Sequence, residues 1–334
     1  MNRWIHVLFL GLAVLAIGAL FTLRPEIQGP ETARQPSSTD PVAPVPTSGP
    51  SVVPPSDLPT LPPLPSPPPP GGDGTNVPCP PLADLGQIRV ASFNIHGGVA
   101  RNGAYRLADI AEEIRAWEVD VVLIQEIHRF RRGSALADMP QALASQLGMD
   151  YAFGVNFTLA PEASGAPRRE SGTAIVSRFP ITDWENTLLP NSPGLQQRGL
   201  LRATLDLRGY AVDFYSTHLD HQSSAIRLAQ ARAIGTIAAK SDNPFVLGGD
   251  FNASPGSPPM RAVATYATDA WPLSGEGQGL TMPASNPRLR IDYLLFRGIW
   301  APRGSYVVTS AVSDHRALLT DFGLKVPSAC SGRP

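Results

Sequence analysis

From residue 87 onward, short apolar runs rich in β-branched residues alternate with segments of helical periodicity. Runs of about four to eight such residues between Gly, Pro or Asn positions predict strands. Ten segments fit this pattern: Ile88–Ile95, Val119–Ile124, Ala152–Phe157, Thr173–Ser177, Leu200–Leu207, Ala211–Thr217, Phe245–Gly248, Ile291–Phe296, Tyr306–Val312 and Ala317–Phe322. Some of these strands follow one another directly and others are separated by helical segments, which predicts a mixed α/β layered domain.

Two segments have the spacing of an amphipathic helix. The apolar face of the first consists of Leu107, Ile110, Ile114 and Trp117. The second runs from about Ser223 to Lys240, and its predicted buried face consists of Ile226, Ala229, Ala233 and Ile237. The sequence contains no visible internal repeat.

An apolar run of 20 residues, Trp4–Leu23, lies near the N-terminus. At about 1.5 Å per residue, a helix of this length spans a hydrocarbon core of about 30 Å. Arg3 precedes it, which favours a cytoplasmic N-terminus. A cleaved signal peptide is the alternative, with Ala16-Ile17-Gly18 as the cleavage site. Because apolar residues continue past that site, we expect a transmembrane signal-anchor over residues 1–24. The rest of the chain is then membrane-anchored and extracytoplasmic (periplasmic or at the cell surface), or secreted if the segment is cleaved.

The composition changes sharply after the apolar run. Of 36 prolines, 20 fall between Pro25 and Pro81. Proline removes an amide donor and fixes φ, so this segment forms neither a helix interior nor a central strand. We expect residues 25–86 to be a disordered, semi-extended spacer. This leaves one domain, residues 87–326, followed by a short tail, residues 327–334.

The two cysteines, Cys79 and Cys330, bracket the predicted domain. Two cysteines cannot form a structural zinc site on their own. In an oxidising compartment, a Cys79–Cys330 disulfide would close a very long loop and tie the ends of the domain together. The pairing is a hypothesis that a titration of free thiols would test.

Charge adds one exclusion. From residue 79 onward the chain has 24 basic and 23 acidic residues, so a nucleic-acid binder with a broad basic face is not indicated. A smaller basic edge remains, because Arg129, Arg131 and Arg132 lie together and Arg168 and Arg169 follow later in the chain. Such an edge could hold a nucleic-acid backbone. The alternative is a loop with solvated arginines.

Reactive side chains follow the ends of the predicted strands, where an α/β domain places its functional groups. Five of the six histidines lie there, beside acidic or amide residues. The main segments are Asn94-Ile95-His96, Gln125-Glu126, His218-Leu219-Asp220-His221, Asp250-Phe251-Asn252, Arg290-Ile291-Asp292 and Ser313-Asp314-His315. A magnesium-type cation prefers carboxylate and amide oxygens. Hydrolysis of a phosphate ester also requires a base for water and donors for the developing charge.

The order and spacing of these motifs resemble the endonuclease/exonuclease/phosphatase superfamily, which includes DNase I-like nucleases, AP endonucleases, neutral sphingomyelinases and inositol-phosphate phosphatases. The resemblance covers about residues 87–324. It implies a four-layer α/β sandwich of two mixed β-sheets flanked by helices. It also implies hydrolysis of phosphate esters with Mg²⁺, or alternatively Mn²⁺ or Ca²⁺, as cofactor.

The resemblance carries roles to individual positions. The residues assigned to the metal are Asn94, Glu126 and Asp314, those assigned to catalysis are His218, Asp250, Asn252, Asp292 and His315, and those expected to contact substrate are His96, His221 and Arg129. In AP endonucleases the position of His96 is acidic, which weakens the case for abasic-site repair. The spacing leaves open whether Glu170 supports His218, as a Glu does in the DNase I branch.

We therefore expect a membrane-tethered, metal-dependent phosphodiesterase with nuclease-like activity. A phospholipid or glycolipid head group is the alternative substrate, suggested by the anchor and by the similarity of the segment from Thr281 to Asp292 to sphingomyelinase-like and lipid-remodelling members. An inactive tethered binding module is the alternative of another class, and the complete set of reactive residues disfavours it. The expected partners are the phosphate-ester substrate and the membrane, and the sequence indicates no obligate protein partner.

Overall fold

The computed structural model describes residues 86–324. The predicted signal-anchor, the spacer up to residue 85, the C-terminal tail and both cysteines lie outside these residues, and the statements about them stay predictions. Within residues 86–324, no helix combines the length and the apolar character needed to cross a bilayer.

Twelve strands and five α-helices make up the described part of the chain. The strands are β1 (Gln87–Asn94), β2 (Val121–Arg129), β3 (Asp150–Leu159), β4 (Arg169–Ser177), β5 (Ile181–Leu188), β6 (Gly199–Asp206), β7 (Ala211–His218), β8 (Phe245–Asp250), β9 (Thr268–Asp269), β10 (Asp292–Arg297), β11 (Trp300–Val308) and β12 (Ala317–Leu324). The helices are α1 (Leu107–Ala116), α2 (Met139–Leu147), α3 (Ser224–Ala238), α4 (Pro258–Val263) and α5 (Trp271–Ser274).

The strands form two six-stranded sheets. The order in the first is β11-β12-β1-β2-β4-β3, and the order in the second is β5-β6-β7-β8-β10-β9. Each sheet contains one parallel pair, β1 with β2 and β7 with β8, among antiparallel neighbours. Parallel neighbours end at the same edge of a sheet. Each pair therefore ends at one edge of its own sheet, and a hydrogen bond between Asn94 and Asp250 shows that these two edges meet at one end of the domain.

Three buried apolar clusters hold the layers together. One lies between the sheets and contains Val90 and Leu123 of the first sheet and Val246 and Leu294 of the second. Another packs α1 and α2 on the outer face of the first sheet. The third packs α3 and α4 on the outer face of the second sheet. The predicted four-layer α/β sandwich of two mixed sheets flanked by helices is confirmed.

The buried face of α3 differs from the predicted one. The buried residues are Gln230, Ala231, Ile234 and Ala238, so the face is rotated by about one residue, which is roughly 100° on an α-helix. Gln230 explains the difference. Its side chain accepts a hydrogen bond from the Asp220 amide and donates one to the Pro190 carbonyl. A polar side chain that is fully hydrogen-bonded can occupy a buried position that apolar periodicity does not indicate.

Several elements were outside the predicted set. Strand β5 is an edge strand of mostly exposed residues, so its sequence lacks the apolar pattern of a buried strand. Helix α2 begins at the N-cap Asp138, whose carboxylate accepts from the Gln141 amide, and ends at Gly148 in the left-handed conformation. Strand β11 begins at the fully buried Trp300, earlier than predicted, and its pairing with β12 shifts register near Pro302. The short elements β9, α4 and α5 were also missed.

Candidate active site

A cavity of about 550 Å³ opens at the end of the domain where β1, β2, β7 and β8 terminate. Eight of the eleven predicted site residues line it: His96, Glu126, His218, His221, Asp250, Asn252, Asp314 and His315. Asn94 and Asp292 are buried behind this lining and are hydrogen-bonded to it. The fold therefore brings together ten side chains that are distributed over more than 200 positions of the sequence.

Asn94, at the end of β1, joins two carboxylates. Its amide nitrogen donates to Glu126 Oε1 at 3.1 Å and to Asp250 Oδ2 at 3.2 Å. Its amide oxygen accepts from the His96 backbone amide at 3.0 Å. In this arrangement Asn94 faces Glu126 with a donor, so it holds the carboxylates of the two sheets together. Its predicted role as a direct metal ligand stays a prediction.

Glu126 owes its position to a β-bulge in β2. Two residues of β2, Gln125 and Glu126, stand opposite one residue of β4, Thr173. Glu126 adopts a left-handed backbone with φ of 54°, which is unusual for a residue other than glycine. Bulges bend a strand and change the direction of a side chain, and they occur next to active sites. The bulge directs the Glu126 carboxylate into the cavity, where it is one-third exposed.

Asp250, Asp292 and His315 form a buried triad. His315 Nδ1 lies 2.9 Å from Asp292 Oδ2, and His315 Nε2 lies 3.7 Å from Asp250 Oδ2. Burial lowers the pKa of His315, but the charge of Asp292 and its hydrogen bond outweigh burial and raise that pKa to about 10. Burial and the charge of Asp292 also raise the pKa of Asp250 to about 7. His315 is therefore positively charged at neutral pH, beside a carboxylate that titrates near neutrality.

His218 is neutral and has a defined tautomer. Burial and the charge of Arg198 lower its pKa well below the ordinary value. The side-chain amide of Asn252 donates to His218 Nε2 at 3.1 Å. A neutral imidazole has one N–H group, so the ring proton lies on Nδ1, which is 3.9 Å from Glu126 Oε1. His218 therefore presents an N–H donor on the side of Glu126.

The donor set suits a divalent cation that prefers oxygen ligands. Asp250 and Asp292 offer carboxylate oxygens beside His315, with all three groups within 4.8 Å of one another, and the Glu126 and Asp314 carboxylates line the same cavity. Because His315 is charged, the carboxylates are the available ligands. Asp292 Oδ1 is buried and has no hydrogen-bond partner among residues 86–324. Carboxylates of this kind match Mg²⁺, Mn²⁺ or Ca²⁺. Glu126 and Asp314 are each about one-third exposed, so these two carboxylates are the accessible candidates for holding an ion.

The predicted substrate contacts divide into two groups. His96 lies in the cavity at 3.9 Å from Asp314, and His221 lies there with its Nδ1 atom 3.2 Å from Arg198 Nη2. Arg129 is absent from the lining of this cavity. Its guanidinium binds Asp138 at 2.8 Å and Glu170 at 3.4 Å and lies over the Phe153 ring. Two carboxylates thus occupy Arg129, and Glu170 pairs with this arginine instead of supporting His218.

The cavity also contains residues that were absent from the predicted set. Arg198 precedes β6, and Arg131 and His128 lie at the end of β2. His128 Nδ1 is 2.8 Å from Ser171 Oγ, and burial together with the charge of Arg131 lowers the pKa of His128 to about 3. A basic residue next to a strand end was the available signal for Arg198, but only the antiparallel β6–β7 pairing shows that the start of β6 faces the cavity.

The fold and the site together define a hydrolase-type α/β sandwich of the DNase I-like class. The sequence profile of the Endonuclease/Exonuclease/phosphatase family matches residues 91–315, and the chain belongs to this family. A crystal structure of an endonuclease/exonuclease/phosphatase from Beutenbergia cavernae is similar, with a TM-score of 0.62, 29% identity and coverage of 73% of each chain.

Two curated relatives match over most of the domain. Protein cwh43 of Schizosaccharomyces pombe is 28% identical over 217 residues, which is 65% of this chain and 20% of cwh43. The matching region thus spans about one fifth of cwh43. The uncharacterized protein YbhP of Escherichia coli is 24% identical over 253 residues, which is 71% of this chain and 96% of YbhP.

Proposed function

We propose that the protein is a divalent-metal-dependent hydrolase of phosphate esters that cleaves phosphodiesters. The observation that carries this proposal is the environment of Asp250. Its Oδ2 atom lies 3.2 Å from the Asn94 amide, 3.4 Å from His218 Nε2 and 3.7 Å from His315 Nε2. A buried carboxylate with a pKa near neutrality that lines a cavity, accepts a hydrogen bond from an amide and lies beside a charged histidine is typical of a catalytic centre.

Asp250 would accept the proton of the attacking water. A general base works best when its pKa lies near the operating pH, and the pKa of Asp250 is raised to about 7 by burial and by Asp292. Asp250 Oδ1 accepts from the Asn252 backbone amide at 2.9 Å. The oxygen that would take the proton is Oδ2, which lies toward the two histidines at 3.4 and 3.7 Å.

His315 and His218 would stabilise the negative charge that develops on the phosphoryl oxygens. His315 is held in its charged form by Asp292, and neutral His218 offers its Nδ1–H. Fixed donors in a site that excludes water stabilise developing charge strongly. A divalent cation bound by Glu126 and Asp314 would supply further positive charge to the same oxygens.

Hydrolysis of bis(p-nitrophenyl) phosphate by the full chain tests this function. We expect turnover with Mg²⁺ and loss of turnover with EDTA. Asp250→Asn should lower kcat by about 10²–10⁴-fold, which is the usual contribution of a general base. The exposed Asp242 supplies the matched control, and Asp242→Asn should retain activity. Absence of turnover with Mg²⁺, Mn²⁺ and Ca²⁺ would contradict the proposal and favour the inactive binding module.

The surroundings of the cavity favour a lipid head group over a nucleic acid as the substrate. Three of the five arginines of the predicted basic edge are paired with carboxylates. Arg129 contacts Asp138 at 2.8 Å, and Arg132 and Arg169 both contact Glu162, at 3.1 and 2.9 Å. Arginines that are already paired with carboxylates displace fewer counterions from a nucleic-acid backbone and so contribute less to binding it. This observation weakens the nuclease-like substrate that the sequence suggests.

Three exposed leucines are close, in the chain or through strand pairing, to residues that line the same cavity. Leu136, Leu159 and Leu188 are 51%, 37% and 56% exposed. We call these three residues the apolar rim. Leu136 and Leu159 each lie within two positions of a cavity-lining residue, and Leu188 pairs with the residue that follows Arg198. Exposed apolar side chains around a polar site fit an amphiphilic substrate, so we infer a phospholipid or glycolipid head-group ester.

Comparing two substrates decides this point. The full chain with Mg²⁺ is given vesicles of phosphatidylcholine and phosphatidylglycerol, or plasmid DNA, across a salt series. We expect release of phosphorylated head group from the vesicles, and Leu188→Ser should reduce that release while hydrolysis of bis(p-nitrophenyl) phosphate is retained. Leu273→Ser, on the 61% exposed Leu273 of α5, is the control. Plasmid cleavage that weakens with salt, without vesicle hydrolysis, would reverse the assignment.

A further inference from the structure

Among residues 86–324, the buried positive charge of Arg198 has no carboxylate partner. The residue is 5% exposed and lines the cavity. Its Nη2 atom lies 3.2 Å from His221 Nδ1, and its Nε atom is buried with no hydrogen-bond partner among residues 86–324. Within the same residues, the buried Arg290 is instead paired directly with Asp269. Arg198 therefore differs from a structural arginine.

The position of Arg198 has a physical cost. Burial of an unpaired charge is unfavourable, and an unsatisfied buried donor adds to the penalty. Burial lowers the pKa of Arg198, while the charges of Glu126 and Asp250 oppose that shift. The same guanidinium lowers the pKa of His218, so the two groups act on one another across the cavity. A ligand that brings its own negative charge would remove this cost.

We propose that Arg198 binds a non-bridging oxygen of the substrate phosphate and that His221 sets the direction of its guanidinium. This proposal rests on the proposed function, because it takes a phosphate ester as the ligand of the cavity. A guanidinium has five N–H donors in a planar fork that matches phosphate oxygens. The hydrogen bond to His221 uses one of them. His221 Nδ1 is the acceptor in that bond, so His221 acts as a positioning residue.

Arg198 and the catalytic groups have different tasks in the proposed reaction. His218 and His315 lie near Asp250, which would accept the proton of the attacking water. Arg198 lies on the side of β6 and contributes a positive charge without taking part in proton transfer. Loss of Arg198 should therefore weaken binding of phosphate more than it slows the chemical step. If Arg198 had a purely structural role, its loss would instead lower the stability of the fold. The phosphate affinity of the folded variant would then be unchanged.

Calorimetric titration of the full chain with inorganic phosphate, in EDTA, tests the proposal independently of hydrolysis. We expect Arg198→Met and Arg198→Lys to weaken phosphate binding by at least about tenfold, which is the effect of losing a charge-assisted hydrogen bond. The lysine variant keeps the charge but lacks the fork. It decides the question if the methionine variant does not fold.

Arg227→Met is the matched control. Arg227 lies on the adjacent α3, also has a buried Nε atom without a partner among residues 86–324, and is absent from the cavity lining. Its variant should bind phosphate like the wild type. Inorganic phosphate should also raise the Tm of the wild type and of Arg227→Met, but not that of Arg198→Met.

Unchanged phosphate affinity in both Arg198 variants would overturn the proposal. Kinetics separate this failure from failure of the proposed function. If the protein hydrolyses bis(p-nitrophenyl) phosphate, we expect Arg198→Lys to raise KM by at least about tenfold with a smaller change in kcat, as for a lost binding contact. If the wild type hydrolyses the substrate and the KM of Arg198→Lys is unchanged, only the proposed role of Arg198 is rejected. If phosphate binding depends on Arg198 but the protein does not hydrolyse the substrate, the proposed role of Arg198 stands and the proposed function is rejected.

Discussion

Histidines in one cavity have different charge states because their neighbours differ. Asp292 contacts His315 at 2.9 Å and holds it in the charged form. His218 lies farther from its carboxylate neighbours, at 3.4 Å from Asp250 and 3.9 Å from Glu126. Burial together with nearby arginines lowers the pKa of both His218 and His128. The sequence shows five histidines near strand ends, but it does not show which of them forms a close hydrogen bond to a carboxylate. That distinction decides which groups donate a proton and which carry charge.

The stability of the protein should depend on pH through His128. Its pKa is about 3 in the folded state, against about 6.5 in an unfolded chain. Between these values the unfolded state binds a proton that the folded state does not, so stability falls as pH decreases below about 6.5, by at most about 1.4 kcal/mol per pH unit. His128→Gln removes this term. Urea unfolding in EDTA at pH 7, 6 and 5 should show the wild type losing stability relative to the variant. A constant difference between the two proteins would contradict the assignment.

At the scale of elements, backbone geometry positions the reactive groups. The bulge in β2 directs Glu126, and the parallel pairing of β7 with β8 sets His218 beside Asp250. Sequence patterns identified β2, β7 and β8 as strands because their apolar runs are local. They did not indicate the bulge, since it depends on pairing with β4, a segment distant in the sequence.

Gly249 allows the close approach of β7 and β8. A Cβ atom at this position would lie 2.1 Å from the Thr217 carbonyl oxygen, and a backbone atom cannot move aside cheaply. Gly249→Ala should therefore destabilise the protein by about 1–3 kcal/mol or more and displace Asp250, with a loss of hydrolytic activity. Thermal unfolding and turnover measure the two effects. Gly133→Ala is the control, because a Cβ there meets nothing within 4 Å. Equal Tm values for the two variants would show that the strands can separate without cost.

At the scale of the whole molecule, the cluster between the sheets holds both halves of the site in register. Asn94 belongs to the first sheet and Asp250 to the second, and they meet at 3.2 Å. Leu294 and Leu123 pack in the cluster below them. The distance between the Glu126 carboxylate of the first sheet and the Asp250 carboxylate of the second therefore depends on how closely the two sheets pack.

Leu294→Ala should destabilise the protein by about 2–5 kcal/mol, because it removes buried apolar surface and leaves a cavity between the sheets. Urea unfolding of the full chain measures the loss. Leu273→Ala changes a side chain that is 61% exposed, and it should alter stability by less than about 0.5 kcal/mol. If Leu294→Ala lowered the free energy of unfolding as little as Leu273→Ala does, packing of Leu294 between the sheets would not contribute to stability.

The amino-acid sequence by itself determined most of the strands, the mixed α/β class and many residues of the candidate site. Periodicity, turn residues and reactive groups at strand ends are local properties, and their order matches the family. Only the tertiary structure decided which charges are paired. Within the part of the chain that the structure describes, Arg129 is bound by carboxylates and Arg198 is not, although both are arginines close to a strand end. The reason is that pairing and burial depend on residues that are far apart in the chain and meet only when the two sheets pack.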